Sequence, residues 1–503
     1  MSSPPPREQL SSNVGAGAPG ARESAASAPA SLPEEVGAGQ LESLVASRGL
    51  SNVASSSAPF GCRAVYATDE WFATADCLLA SEPPVFLPDL YCPQGKVMDG
   101  WETRRKRVAG HDWAAFELGM AASEFWAVEV DTAHFTGNHA PRISLEVADL
   151  SSLGPSSRWM PGADARRRRG GGVQGTGQAP AEVEEADAAC RAAGKWTCIL
   201  PQTPLRPGYE GTSVHRFVLS DGARARAGAA THVRLNYYPD GGVARLRLWA
   251  TSEAAAVAIP SASSPEHIPL PRPISATSVV SDSVYEADAQ PPPQVSPPPL
   301  EIESSWEAHS SEPYPHPELS SSELGGIGLA CSNKHFGVPS NLIQPTYGKD
   351  MGDGWETARH PDRPAVWAKD PETGLLDTPL TDWAILKLGT PARLGVSRIV
   401  LDTRHFRGNF PESVQVEGCF AATSGPGGEA TEEEDAAVCD TSAGSVVEWF
   451  PLLPRTKMRP DAEHLFCKGS ITNSSRPVTH CRVTIYPDGG LSRVRIYAED
   501  VPH

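Results

Sequence analysis

Apolar and polar residues alternate with a period of two along residues 60–250 and again along 325–498. In Phe125-Trp126-Ala127-Val128-Glu129-Val130-Asp131, Trp126, Val128 and Val130 fall on one face and Glu129 and Asp131 on the other, the pattern of a half-buried strand. Residues 398–402 repeat it with Ile399 and Leu401 inward. Residues 114–118 and 384–388 read as short strands ended by Gly119 and Gly389. Residues 232–238, the turn Pro239-Asp240-Gly241-Gly242 and residues 243–249 predict a β-hairpin, and 481–497 predict a second. Helical periodicity is absent apart from a short segment near 71–79. The pattern predicts an all-β protein of antiparallel sandwiches, drawn most simply as jelly rolls.

Three blocks recur in the same order. Asp99-Gly100-Trp101-Glu102-Thr103 returns as Asp353-Gly354-Trp355-Glu356-Thr357. The His134-Phe135-Thr136-Gly137-Asn138 block answers to His405-Phe406-Arg407-Gly408-Asn409, and Tyr238-Pro239-Asp240-Gly241-Gly242 to Tyr486-Pro487-Asp488-Gly489-Gly490. Preserved order means a duplicated domain. The expected organisation is a disordered tail over 1–57, a first repeat over 58–252, a disordered Pro/Ser-rich linker over 253–322 and a second repeat over 323–499. Insertions unique to one copy, near 152–193 and near 365–378, should be surface loops.

Composition supports folded parts diluted by unstructured ones: 40% hydrophobic residues, with 48 Pro and 45 Gly in 503 residues. A net charge of -18 argues against nucleic acid or an anionic membrane as partner. The run Arg166-Arg167-Arg168-Arg169 is read as a solvated loop. Ten cysteines form no Cys-x-x-Cys pair and do not repeat between the halves, so reduced thiols fit better than a disulfide framework. No run is long and apolar enough for a membrane span, and no secretory leader is visible. The expectation is a cytoplasmic protein.

At its repeated blocks the chain resembles the allantoicase family. The resemblance rests on Met98-Asp-Gly-Trp-Glu-Thr-Arg-Arg-Lys-Arg107, Gly110-His-Asp-Trp113, residues 130–138, Ala330-Cys-Ser-Asn-Lys-His-Phe-Gly337, Met351-Gly-Asp-Gly-Trp-Glu-Thr-Ala-Arg359 and Leu453-Pro-Arg-Thr-Lys457. It covers most of both repeats and leaves out the tail and linker. It implies tandem jelly rolls, a homo-oligomer, and hydrolysis of the small molecule allantoate to ureidoglycolate and urea in purine degradation. The copies differ where Gly110-His111-Asp112 of the first faces Leu380-Thr381-Asp382 of the second.

That chemistry needs a cation for the substrate carboxylate, acceptors for its ureido N–H groups, an acid for the leaving nitrogen, and a base or metal to activate water. The candidate acid/base residues are Glu102, His134, Glu356 and His405. Candidate binding residues are Asp99, Trp101, Arg104, Asn138, Asn333, His335, Asp353, Trp355, Arg359 and Asn409, with Arg142 and Arg455 as further cations. Structural readings compete at each. Asp99 and Asp353 precede Gly and suit turn capping, and the two tryptophans suit packing. Asp131 and Asp402 end strands and suit loop ties, while Asn138 and Asn409 suit left-handed turns. No cofactor is identified; the spacing shows no metal motif but leaves room for a divalent ion assembled across blocks. The second repeat is favoured as the larger contributor, because Asn333, His335 and Glu356 cluster with Met351. A carbohydrate-type binding module using Trp101 and Trp355 as platforms, or a hydrolase of ureidoglycolate, are the alternatives.

Overall fold

Strand-forming alternation produces two copies of one sandwich in the computed structural model. The structure describes residues 32–153, 159–252, 314, 316–421, 432–439 and 447–498. In the second repeat one layer runs in the order Ile327–Cys331, Asp382–Ala392, Val478–Tyr486, Ser413–Cys419, Phe450–Lys457. The facing layer has Val396–Asp402 between Glu463–Cys467 and Arg493–Ala498. The first repeat has the same order, Arg63–Ala67, Trp113–Asp131, Ala230–Tyr237, Arg142–Ala148, Thr197–Pro204. Its second layer uses the far end of Trp113–Asp131, flanked by Val214–Val218 and Arg245–Ser252. The tandem jelly-roll sandwich expected from the sequence is the observed architecture.

Each repeat buries its own core. Val128, Val130, Leu145, Val233 and Leu248 fill the first, and Ile399, Leu401, Val416, Val483 and Ile496 the second, each at most 1% exposed. Inward-facing alternate residues close the space between layers, as aligned sheets require. From Pro33 onward the chain is one compact unit.

Several expectations fail for identifiable reasons. Gly119 and Gly389 do not end strands: both lie inside continuous ones, Trp113–Asp131 and Asp382–Ala392. A Cβ at Gly119 would stand 1.8 Å from the Phe60 carbonyl oxygen, and one at Gly389 1.9 Å from that of Leu324. They are glycine because another backbone crosses there. The two expected hairpins are sheet changes. Ala230–Tyr237 pairs with Trp113–Asp131 and Arg142–Ala148, and Arg245–Ser252 with the other end of Trp113–Asp131; the two never pair with each other. The Pro-Asp-Gly-Gly segment instead bonds outward, with Gly241 O accepting from Thr103 N (3.0 Å) and Gly242 N donating to Asn138 O (2.9 Å).

The expected disordered tail is ordered over its second part. Strand Glu34–Glu35 pairs with Val214–Val218, helix Ala38–Arg48 buries Leu41, and Ser51–Asn52 pairs with Arg245–Ser252. Residues 1–31 and most of the linker expected over 253–322, namely 253–313 and 315, lie outside the described residues, but its end is folded: Leu319 is 2% exposed and its N–H donates to Ile496 O (2.8 Å). The helix near 71–79 is a 3-10 turn, Ala75–Leu79. The first-repeat insertion is not only loop. Helix Pro180–Ala193 buries Ala186 and Cys190 against Tyr66 and Trp113. Helix Ala163–Arg169 contains the arginine run, and Arg166 is buried, donating to both oxygens of Glu70 (2.6 and 2.7 Å). A buried carboxylate gives that arginine a place a solvated loop would not. The second-repeat insertion is irregular as expected, but its Trp367 is 1% exposed and bridges to Gly110 of the first repeat. All ten cysteines are free.

Candidate functional site at the seam between repeats

The repeated Trp-Glu pairs form two-residue strands, Trp101–Glu102 against Gly242–Val243 and Trp355–Glu356 against Gly490–Leu491. Both tryptophans are 0% exposed. Trp101 donates its indole N–H to Asp69 O and Trp355 to Asn333 O, each at 2.8 Å. They are packing residues, and a binding platform of exposed indoles is not what these positions present. Packing them inward turns the adjacent glutamates toward the other repeat.

There the two repeats exchange arginines. Arg105, three residues after Glu102, donates to Glu356 (2.6 Å), Asp488 (2.8 Å) and the Thr357 carbonyl (2.7 Å). Arg359, three residues after Glu356, donates to Glu102 (3.0 Å), to Asp240 and to the Thr103 carbonyl (2.7 Å). A second arginine joins each aspartate: Arg107 donates to Asp488 (3.0 Å) and Arg363 stands 3.8 Å from Asp240. Four buried guanidiniums thus meet four buried carboxylates, a balance that interior charges need. Burial alone would raise the Asp488 carboxyl, but Arg105, Arg107 and Arg363 hold it well below the usual carboxylate range. Asp240 is likewise lowered, burial opposing Arg363 and Arg359. At Glu102 burial prevails over Arg359 and Asn138 and pushes the carboxyl up.

Asn138 donates to Glu102 and Asn409 to Glu356, both at 2.8 Å. They sit in the Thr136-Gly137-Asn138 and Arg407-Gly408-Asn409 loops, whose glycines are pressed by the opposite repeat. Arg359 N donates to Gly137 O (2.8 Å) and Arg105 N to Gly408 O (2.9 Å). His335 reaches Thr136 Oγ1 at 3.3 Å. Its ring is exposed to solvent, yet partial desolvation lowers its basicity, with Glu356 opposing and Arg105 reinforcing. Asn333 accepts from His335 N (3.0 Å) and Ala358 N (3.3 Å).

Other candidates are placed elsewhere. His134 and His405 hold left-handed turn positions and meet carbonyls, Pro84 O at 3.4 Å and Gly348 O at 2.8 Å. Asp99 pairs with both terminal nitrogens of Arg245 (2.9 and 2.7 Å), and Asp353 accepts from Lys349 N (2.9 Å). Asp131 and Asp402 accept from the second following N–H, as loop ties do. Arg104 bonds Asp69 and has Ala358 as its counterpart; the true counterpart of Arg359 is Arg105. Arg142 donates to the Arg363 carbonyl, and Arg455 to Ser413 (2.7 Å) and the Leu376 carbonyl (2.9 Å). Sequence reasoning did not single out Arg105, Arg107, Arg363, Asp240 and Asp488. The signal for Arg105 was its offset from Glu102, identical to that of Arg359 from Glu356. Among the described residues no helix is long and apolar enough to cross a membrane, and no three His, Cys, Asp or Glu side chains gather as a metal site would need.

Two copies of one sandwich, locked by exchanged arginines with their recurring polar residues gathered at the seam, define a tandem-repeat protein built around its inter-repeat contact. A family model described as the allantoicase repeat matches residues 52–253 and again 317–501. The chain belongs to the allantoicase family. It is 31% identical over 439 residues to a probable allantoicase of Pseudomonas fluorescens strain Pf0-1, covering 87% of this chain and 93% of the relative. A probable allantoicase of Rhizobium meliloti strain 1021 is 33% identical over 442 residues, covering 88% and 92%. The crystal structure of allantoicase from Saccharomyces cerevisiae aligns over 93% of this chain and 99% of its own, at 25% identity and a TM-score of 0.30.

Proposed function

We propose that the protein hydrolyses allantoate, with water replacing one ureido group on the central carbon to give ureidoglycolate and urea. The carrying observation is the double match to the allantoicase repeat, each match spanning one half of the seam. The chemistry of the seam supports it. The leaving ureido nitrogen needs a proton, and burial raises the proton affinity of the Glu102 carboxyl against the opposing Arg359 and Asn138, the direction a proton donor needs. His335, whose basicity is lowered, is available as a neutral ring that accepts a proton from water or a hydrogen bond from a ureido N–H. Both terminal nitrogens of Arg359 already donate within the chain, leaving its Nε as a buried donor without a partner. The substrate carboxylate therefore meets a seam whose cations are mostly committed to holding it shut.

Purified protein incubated with allantoate should release urea and ureidoglycolate; no urea above background removes the reading. The Glu102→Gln/Glu356→Gln double variant should lose at least about 100-fold in kcat, the usual weight of a positioned proton donor. Full turnover in that variant would remove the carboxyl acids but leave the enzyme. Comparing rates with ureidoglycolate as substrate separates the related hydrolase. Assembly into a homo-oligomer in the cytoplasm belongs to the same reading and is checked by sedimentation and cell fractionation.

A further inference from the structure

We infer that only one of the seam's two quasi-equivalent halves takes substrate: the half in which Asn333, His335 and Ala358 face Thr136-Gly137-Asn138. The inference rests on the ureide-hydrolase reading and adds to it a location and a count of one site per chain.

Equivalence of the halves is set by matching bonds. Asp69 does in the first repeat what Asn333 does in the second. Its carbonyl accepts the buried indole N–H of Trp101, and its side chain accepts from the N–H groups of Trp71 and Arg104, both at 3.0 Å. Asn333, His335 and Ala358 thus answer to Asp69, Trp71 and Arg104. Each substitution makes the second set smaller or less charged.

The consequence is read at the two loop glycines. A Cβ on Gly408 would meet Arg104 Cγ at 2.7 Å and the Phe72 and Trp71 rings at 2.9 Å each. The corresponding atom on Gly137 would first meet the His335 ring at 2.7 Å and then the Ala358 methyl at 3.2 Å. The nearest neighbours are thus two aromatic rings and an arginine stem in one half, and an imidazole and a methyl in the other.

Segments particular to the first repeat then seal the filled half. Strand Thr176–Gly177 pairs with Asp69–Glu70, and Gly175 N donates to the Glu70 and Trp71 carbonyls (3.1 Å each). Gln174 donates to Phe72 O (2.7 Å) and Cys92 Sγ (3.2 Å), joining the insertion to the hairpin of Tyr91–Cys92 and Gly95–Lys96. Arg166 fastens the insertion by its paired bonds to Glu70. Phe72 is consequently 6% exposed, whereas Phe336 at the matching place is 42% exposed, with Lys334 and His335 exposed beside it. A small ureide anion approaching from solvent meets polar groups at Asn333, His335 and Thr136 in one half, and in the other the half-buried Trp71 ring beside a buried Phe72.

The test transplants the filling. His335→Trp/Ala358→Arg gives the open half the side chains of the sealed one, and should lower kcat/KM for allantoate at least about 100-fold while the melting temperature stays within a few degrees. Trp71→His should keep kcat/KM within about threefold. Titration of the unaltered chain should show one allantoate per chain. Should the double variant not fold, the unaltered protein gives the same answer: allantoate should slow carbethoxylation of His335 by diethyl pyrocarbonate, read by peptide mass. A folded double variant with normal turnover overturns the inference, as do two substrates per chain or an unprotected His335 during active turnover. Absence of urea release by the unaltered chain fails the hydrolase reading itself and the inference with it.

Discussion

His134 and His405 stand at φ 73° and 71°, a backbone region few side chains occupy. Each follows an aspartate, Asp131 or Asp402, whose side chain ties down the residue between them. The histidine letters invited an acid/base role, and the aspartates an even choice between chemistry and tie. The structure supplies what the letters lack, namely the carbonyls at Pro84 and Gly348 that the rings face. Asp402 carries a measurable consequence. It is 0% exposed, its Oδ2 has no partner, and burial pushes its carboxyl up to about 6. The native state therefore holds this proton where the unfolded chain, near 3.9, has released it. Its favourable term is complete below about pH 4 and is lost as pH rises to about 6. Asp402→Asn keeps the Oδ1 tie and removes the ionisation. Stability from urea unfolding should rise by about 1–3 kcal/mol at pH 7 and change little at pH 4. An equal change at both pH values would show that the carboxyl is not the source.

Strands were legible because a period of two survives in the sequence whether or not the partner strand is known. Their partners and ends were not. Tyr-Pro-Asp-Gly-Gly between two alternating segments has the local form of a hairpin, and only the long-range bonds of Gly241 and Gly242 to the Thr103 and Asn138 regions turn it into a change of layer. Gly119 and Gly389 signal a break locally, yet a strand runs through each because a crossing backbone needs the space. Helix Ala38–Arg48 escaped notice because its Gly, Ser and Ala content resembles the tail before it, and one buried residue, Leu41, fixes it. Two alanine substitutions separate these cases. Gly119→Ala should cost about 2–4 kcal/mol, since its Cβ would overlap the Phe60 carbonyl. Gly39→Ala, in that helix with nothing within 4 Å of the new methyl, should stabilise by about 0.5–1 kcal/mol. Denaturant midpoints that moved together would defeat the distinction.

At the scale of the whole chain, separate cores in each repeat would by themselves let the repeats unfold one at a time. The seam opposes this. Separating the repeats strips Glu356 and Asp488 of Arg105, and Glu102 and Asp240 of Arg359, leaving charges of both signs without partners. Removing one member of a buried pair typically costs about 3–5 kcal/mol, comparable with the whole stability of a small domain. The duplication was plain in the sequence, but not this exchange, because a recurring arginine three residues after a glutamate does not say which copy's carboxylate it meets. Calorimetry should show one unfolding transition for both repeats, with equal calorimetric and van't Hoff enthalpies. Arg105→Met should split it, releasing the second repeat first because that repeat loses the Arg105 bonds to Glu356 and Asp488 and keeps, of the arginine bonds to these two carboxylates, only that of Arg107 to Asp488. The seam should also weaken in acid. Asp488 is held well below its ordinary value, so its contribution is complete above about pH 4 and drains away as pH falls below that. Two transitions in the unaltered chain at neutral pH would mean that the arginines decorate the seam without holding it; a single transition that divides only on acidification or on loss of Arg105 would locate the cohesion of the molecule in these crossed charges.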